Sequence, residues 1–263
     1  MSGYETITLE RDARGVAVLS LDRPEKHNAM NAAMIAELAA AAADLEADKD
    51  VRAVVLTASG RTFCAGGDLS WMRDQSVRDR DGKIDGALEL ARMLKALDEL
   101  PMPLIGRVQG NAFGGGVGLI SVCDIVVAVE DAQFALTETR LGLIPATIGP
   151  YVVRRIGEGA SRRHLLSGRR FDAGEARRIG LVSTVSTAGD LDGAVSEEVS
   201  AVLECAPGAV ADTKRLVRQL ARAEVVGPLD HTANLLADRW ESEEGRSGID
   251  AFLGRRPMPW GNK

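Results

Sequence analysis

Apolar positions fall into runs of different period along this chain, and each period predicts a different element. Stretches 7–10 and 16–21 flank a polar turn at 12–15 and read as two strands of a hairpin. Asp22-Arg23-Pro24 closes it, because proline cannot donate to a ladder. From 31 to 47 the run NAAMIAELAAAAADLEA consists of strong helix formers with Met34, Leu38 and Leu45 on one face, so a helix is predicted. Residues 51–57, VRAVVLT, form a short continuous apolar run that suits a strand covered on both faces.

The same order then recurs. A helix over 87–100, stopped by Pro101 and Pro103, leads to a strand over 104–108, a Gly-rich segment and a strand over 124–129. Strands alternating with helices predict parallel βαβ units with right-handed crossovers, hence an α/β core. Beyond about Leu141 the pattern becomes helical, over 145–156, 161–166, 172–179, 191–205, 207–223 and 229–243. Asp172 and Glu175 have capping-box spacing, and Gly180 stands where a helix-ending glycine belongs. The polar stretch 73–85, RDQSVRDRDGKID, predicts a mobile surface segment beside the first Gly-rich turn, placed to act as a substrate-side flap.

With 263 residues, 45% of them hydrophobic, the chain can bury one sizeable core plus an appended element. A net charge of −6 and a pI near 5.3 argue against general binding to nucleic acid or anionic membranes. Three cysteines, Cys64, Cys123 and Cys205, with no CxxC spacing suggest neither a disulfide framework nor a metal site, which fits a reducing cytoplasm. The first residues, MSGYETITLERD, hold no basic segment followed by an apolar core, and no apolar stretch approaches the ~18 residues of a membrane span, so neither export nor anchoring is expected.

The candidate chemistry lies in two Gly-rich turns. Each follows a predicted strand and opens a predicted helix, where several N–H groups lack intrahelical partners and the helix dipole adds positive charge. In Phe63-Cys-Ala-Gly-Gly-Asp68 the glycines allow close backbone approach and Asp68 is a natural N-cap for a helix starting at Leu69. In Phe113-Gly-Gly-Gly-Val117 the glycine triplet does the same. A single such turn marks a bend or close packing as readily as a site. Two together supply converging donors for an enolate or tetrahedral oxyanion. Neither spells a Walker or GxGxxG nucleotide pattern, so phosphoryl transfer and dinucleotide binding fit poorly.

These segments resemble the crotonase (enoyl-CoA hydratase/isomerase) superfamily, which pairs an F-x-A-G-x-D-L turn with a later G-x-x-x-G-G-G turn. Here they read Phe63-Cys-Ala-Gly-Gly-Asp-Leu69 and Gly110-Asn-Ala-Phe-Gly-Gly-Gly116, followed by Cys123-Asp-Ile-Val126 and Phe134-Ala-Leu-Thr-Glu-Thr-Arg-Leu-Gly-Leu-Ile-Pro145. The resemblance runs from the first hairpin to Phe252. It implies a ββα spiral core over 1–200 and a helical region over 201–263 that drives assembly into a homotrimer or a dimer of trimers. It implies an acyl-CoA thioester as substrate, with coenzyme A entering as part of that substrate and no separate cofactor. By resemblance the oxyanion donors are the N–H groups of Ala65 and Gly115. Gly67, Asp68 and Leu69 fall in the same turn, Lys26 and His27 lie along coenzyme A, and Phe252 and Arg255 reach a neighbouring subunit's coenzyme A. Lys26 and Arg255 also read as solvated surface charges.

Hydratases of this family carry two glutamates, and one of the two positions departs from the pattern. The first position is Gly118; the second is Glu138. A surface carboxylate is the usual fate of a glutamate. Facing an apolar acyl pocket, Glu138 would instead have its pKa raised towards neutrality, as a general acid–base requires. The expected activity is addition of water across the 2,3 double bond of a 2-enoyl-CoA. Isomerisation between 3- and 2-enoyl-CoA by one glutamate is the alternative, and an inert coenzyme A-binding protein is a second. The wording around the glycine triplet and Glu138 resembles hydratases for methyl-branched, carboxylated substrates such as methylglutaconyl-CoA. A second carboxylate would need a basic partner, for which Arg140, Arg73 and Arg154 are candidates. A different chemistry would use Cys64 as a nucleophile in thioester hydrolysis. It lacks a recognisable base, because His27 reads as lying at the coenzyme A rim, His164 on a packed helix and His231 at a helix start.

Overall fold

In β3 (Ala53–Ala58), buried along its whole length, successive side chains enter two different cores. Val54 and Leu56 join Met34, Leu38 and Leu45 of α1 (Ala32–Ala47). Val55 joins Val16, Ile105 and Val127, under Leu191, Val195, Val199 and Leu203 of α7 (Leu191–Leu203). A continuous apolar run therefore encodes a strand covered on both faces. The computed structural model describes residues 3–222, 242–257 and 259–260, apart from the side chains of 245, 249, 252 and 253. All but the last two residues of the helix expected over 229–243, His231 included, lie outside the described residues.

The six-stranded sheet has the order β1-β2-β3-β5-β7-β10. Its hairpin, β1 (Ile7–Arg11) with β2 (Val16–Leu21), is antiparallel, while β5 (Leu104–Val108), β7 (Ile125–Val129) and β10 (Thr184–Ser186) continue in parallel. A second sheet sets β4 (Thr62–Cys64), β6 (Asn111–Phe113) and β8 (Gln133–Ala135) in parallel, with β9 (Phe171–Asp172) antiparallel at its edge. Each turn of chain lays one strand in each sheet before a helical element. These elements are α2 (Leu69–Val77), α4 (Gly115–Val122) and a 3₁₀ turn at Glu138–Leu141. Cys64 pairs with Ala112, and Ala112 with Phe134, so the segments leaving the second sheet stack side by side.

The stretch 73–85 lies at the surface, as expected, and is largely helical. It holds the end of α2 and the start of α3 (Arg80–Glu99), whose N-cap Asp79 accepts from Gly82 N–H at 2.8 Å. Its composition fits this placement, because α2 buries no residue among those described and the polar sequence reflects a solvated face. The two helices expected over 145–156 and 161–166 are the two parts of α5 (Gly149–Ser167), divided at Gly157, whose φ of +75 and ψ of 164 are non-helical. The expected caps are present: Asp172 accepts from Glu175 N–H, and Gly180 has φ +83 just past α6 (Ala173–Arg178). The structure adds one at α1, where Asn31 accepts from Met34 N–H. The expected division at 200 falls within α7. Beyond it, α8 (Pro207–Arg222) docks through Lys214, 2.6 Å from Asp124, and Arg218, 2.6 Å from Glu99. The last described helix is α9 (Glu243–Leu253). Among the described residues no helix is long and apolar enough to cross a membrane.

Candidate active site

The chain leaves β4 through Ala65-Gly66-Gly67, with φ +96 at Gly66, and Asp68 caps α2 by accepting from Ser70 N–H at 2.9 Å. It leaves β6 through Gly114, φ +49, directly into α4. The two turns touch. A Cβ on Gly66 would stand 3.0 Å from the Phe113 carbonyl oxygen and 3.7 Å from Gly115 N, and one on Gly116 would stand 2.5 Å from the Cys64 carbonyl oxygen. This approach of two backbones is what the glycines permit.

The hydrogen bonds correct one expectation. Ala65 N–H donates to the His27 carbonyl at 3.0 Å, so it is engaged within the protein and does not serve as an oxyanion donor. The N–H of this turn that is left unengaged belongs to Gly67. Met30 N–H donates to Gly66 O at 2.7 Å and Asp68 N–H to Met30 O at 2.9 Å, which leaves the N–H of the intervening Gly67 turned away from that pairing. Gly115, the first residue of α4, has no intrahelical acceptor for its N–H. Among the described residues neither N–H donates to a carbonyl.

Both glycines line a cavity of about 460 Å³ whose remaining wall is largely apolar, with Met30, Trp71, Leu90 and Ile148, and with Glu138 facing it. Glu138 begins the 3₁₀ turn after β8, and its Oε1 lies 3.2 Å from where a Gly114 Cβ would be. Its Oε2 is buried without a hydrogen-bond partner among the described residues. Burial raises the Glu138 pKa above the usual carboxylate range, against a smaller lowering by its own backbone N–H. At Gly118 the space is filled: a Cβ there would stand 2.4 Å from Ile148 Cγ2 and 4.0 Å from Leu94 Cδ2. Where the resemblance led to the expectation of a second glutamate, this chain has an apolar wall.

The remaining expected residues are more scattered. Lys26 and His27 are exposed on the turn after β2, with His27 Nδ1 3.2 Å from Thr62 Oγ1. Leu69 is exposed and Asp68 buried. Arg255 is exposed, and the Phe252 side chain lies outside the described residues. Neither Arg73 nor Arg140 lines the cavity, and Arg154 pairs with the buried Asp98. The cation that does line it is Lys83, on the α3 stripe Lys83–Ala87–Leu90, alongside Gln75 and Ser76. The i, i+4, i+7 spacing of that stripe was legible in the sequence, but its polarity hid it. Cys64 is fully buried and its thiol is pushed up to about 12 by burial, which removes the nucleophile reading. His164 is buried against Phe171, ring centroids 4.2 Å apart, as a packed helix residue.

Residues 11–263 match the family model described as enoyl-CoA hydratase/isomerase. A short-chain-enoyl-CoA hydratase of Clostridium acetobutylicum is 29% identical over 96% of both chains. Among solved structures, an enoyl-CoA hydratase from Shewanella pealeana superposes with a TM-score of 0.94 at 39% identity, covering 98% of this chain and 97% of its own. One from Mycobacterium smegmatis gives 0.92 at 34% identity, covering 97% and 99%. With a matching family model over nearly its whole length, a shared fold and its Gly-rich turns facing one carboxylate, the chain belongs to the enoyl-CoA hydratase/isomerase family.

Proposed function

We propose that the protein hydrates 2-enoyl-CoA thioesters with Glu138 as its single acid–base, and with Gly67 and Gly115 N–H groups holding the thioester oxygen. The observation that carries this reading is the convergence on one apolar cleft of a buried, unpartnered carboxylate oxygen and two backbone donors free of protein carbonyls. Glu138 takes a proton from water as the oxygen adds to C3. The electron pair of the double bond moves onto the thioester oxygen, where the two N–H groups stabilise the enolate. Collapse of the enolate draws the same proton from Glu138 to C2. Water and both its hydrogens are then accounted for, and the carboxylate is restored. Coenzyme A enters and leaves with the substrate, and no further cofactor takes part. Exposed Lys26, His27 and Arg255 are available to its phosphates.

The apolar wall at Gly118 favours a second reading, in which Glu138 moves a proton between C4 and C2 and the protein interconverts 3- and 2-enoyl-CoA. An inert coenzyme A-binding role gives no reason for an unpaired carboxylate in the cleft. Purified protein tested against both substrate types separates the three readings: only hydration adds the mass of one water to a 2-enoyl-CoA, isomerisation develops the conjugated absorbance from a 3-enoyl-CoA at unchanged mass, and an inert protein changes neither.

Substrates with a carboxylate on the acyl chain would meet Lys83, which no described carboxylate pairs. The expected outcome for Lys83→Met is a roughly 10-fold fall in kcat/KM for a carboxylated 2-enoyl-CoA, about 1.4 kcal/mol, with that for an unbranched one unchanged. Equal effects on both would remove the carboxylated class. We also propose a homotrimer or dimer of trimers, supported by Val217 and Leu220 of α8, which are 58% and 40% exposed. A monomer mass in solution by light scattering would contradict it.

A further inference from the structure

One ion pair joins the loop after the first hairpin to the first Gly-rich turn. Arg23, with 15% of its side chain exposed, donates from Nη1 to the Ala29 carbonyl at 2.6 Å and to Asp68 Oδ2 at 3.0 Å. The other Asp68 oxygen accepts from Ser70 N–H at 2.9 Å and Trp71 N–H at 3.5 Å, so one carboxylate closes both the guanidinium and the first turn of α2. Around this pair the two loops are tied together. Arg23 N–H donates to Asn28 Oδ1, and Asn28 Nδ2 donates to the carbonyls of Ser59 and Thr62, each at 2.8 Å. Ala65 pairs with His27, and Met30 with both Gly66 and Asp68, so Gly67 is fixed from either side.

The tie holds backbone that would not adopt its shape unaided. His27 and Asn28 both have φ 52, consecutive left-handed residues that carry a Cβ. Such conformations are disfavoured for residues that carry a Cβ and persist where the surroundings over-determine them. A buried ion pair adds little net stability, because desolvation offsets its attraction. Its more useful property is direction, since the guanidinium fork admits few geometries.

We propose that Arg23 is a positioning residue that, through Asp68 and the Ala29 carbonyl, sets the direction of the Gly67 N–H and couples residues 23–28 to the oxyanion hole. The inference rests on the hydratase reading above.

The test uses Arg23→Met, Arg23→Lys and Asp68→Asn in the full-length protein, with a conjugated aryl-enoyl-CoA as a chromophoric probe. Hydrogen bonds to its thioester oxygen polarise it and shift its band to the red. Removing one oxyanion donor costs about 10²–10³ in rate, and misdirecting one costs less, so Arg23→Met should lower kcat about 10–100-fold while KM changes less than about threefold. The red shift of the bound probe should shrink in parallel. Arg23→Lys should restore part of both, and Asp68→Asn, which retains a capping oxygen, should fall in the same direction. Wild-type kcat and red shift in folded Arg23→Met and Asp68→Asn would overturn the proposal, as would losses explained entirely by the unfolded fraction. Absence of turnover by the wild-type protein would overturn the hydratase reading itself, and this inference with it.

Discussion

Glu138→Gln is expected to lower kcat for hydration by about 10²–10⁴, the usual contribution of a positioned acid–base, while leaving coenzyme A thioester binding within a few-fold. The amide keeps the shape of the side chain but can neither take a proton from water nor return one to C2. Its effect on stability should have the opposite sign. Burial raises the Glu138 pKa in the folded state above its unfolded value, so the protonated form is the one folding favours. That contribution is complete below the unfolded carboxylate pKa and disappears as pH rises through the folded pKa. At pH 8 the wild-type protein therefore holds a desolvated carboxylate that the variant lacks. Thermal melts should place Glu138→Gln at or above wild type at pH 8, with the difference closing towards pH 4. The acid limb of the wild-type kcat/KM profile should lie above the ordinary carboxylate range, since the base must be ionised to act. A variant with undiminished turnover would remove Glu138 from the chemistry.

Gly118→Glu should destabilise the protein and fail to add a second catalytic acid. Its Cβ would stand 2.4 Å from Ile148 Cγ2 and 3.0 Å from Ile148 Cβ, inside the distance real side chains tolerate. Overpacking of this kind costs about 1–3 kcal/mol, and an unpaired carboxylate in an apolar wall costs more. Each kcal/mol corresponds to about 2–4 °C in Tm for a chain somewhat shorter than this. Adding Ile148→Ala removes the Cγ2 contact, so the double variant should recover part of the Tm and hydrate faster than Gly118→Glu alone. Wild-type stability with faster hydration in the single variant would show that Ile148 yields freely. The single-carboxylate site would then not be enforced by packing.

What the sequence disclosed and what it hid divide along physical lines. The long strand of residues 53–58 and helix α1 were legible because their apolar periods extend over whole elements. Strands β4, β6 and β8, three residues each, are too short to carry a period, and with them went the second sheet that brings Glu138 beside the glycines. The glycine pattern marked the turns, yet which N–H faces the cleft depends on the His27 carbonyl, supplied by a distant loop. That long-range bond exchanges Ala65 for Gly67. Likewise Gly118 could be read as a missing carboxylate, but only packing shows that Ile148 occupies the space. Lys83 escaped notice because a lysine in a polar stretch is ordinarily a solvated charge.

The central claim is that one carboxylate and two backbone donors suffice to hydrate a 2-enoyl-CoA. Its most direct test follows the conjugated enoyl-thioester absorbance of a short 2-enoyl-CoA with purified wild-type protein and identifies the product by mass. Loss of absorbance with gain of one water, abolished by Glu138→Gln, is the expected result. Conversion of a 3-enoyl-CoA to its 2-enoyl isomer, with no 2-enoyl-CoA ever gaining water, would contradict it.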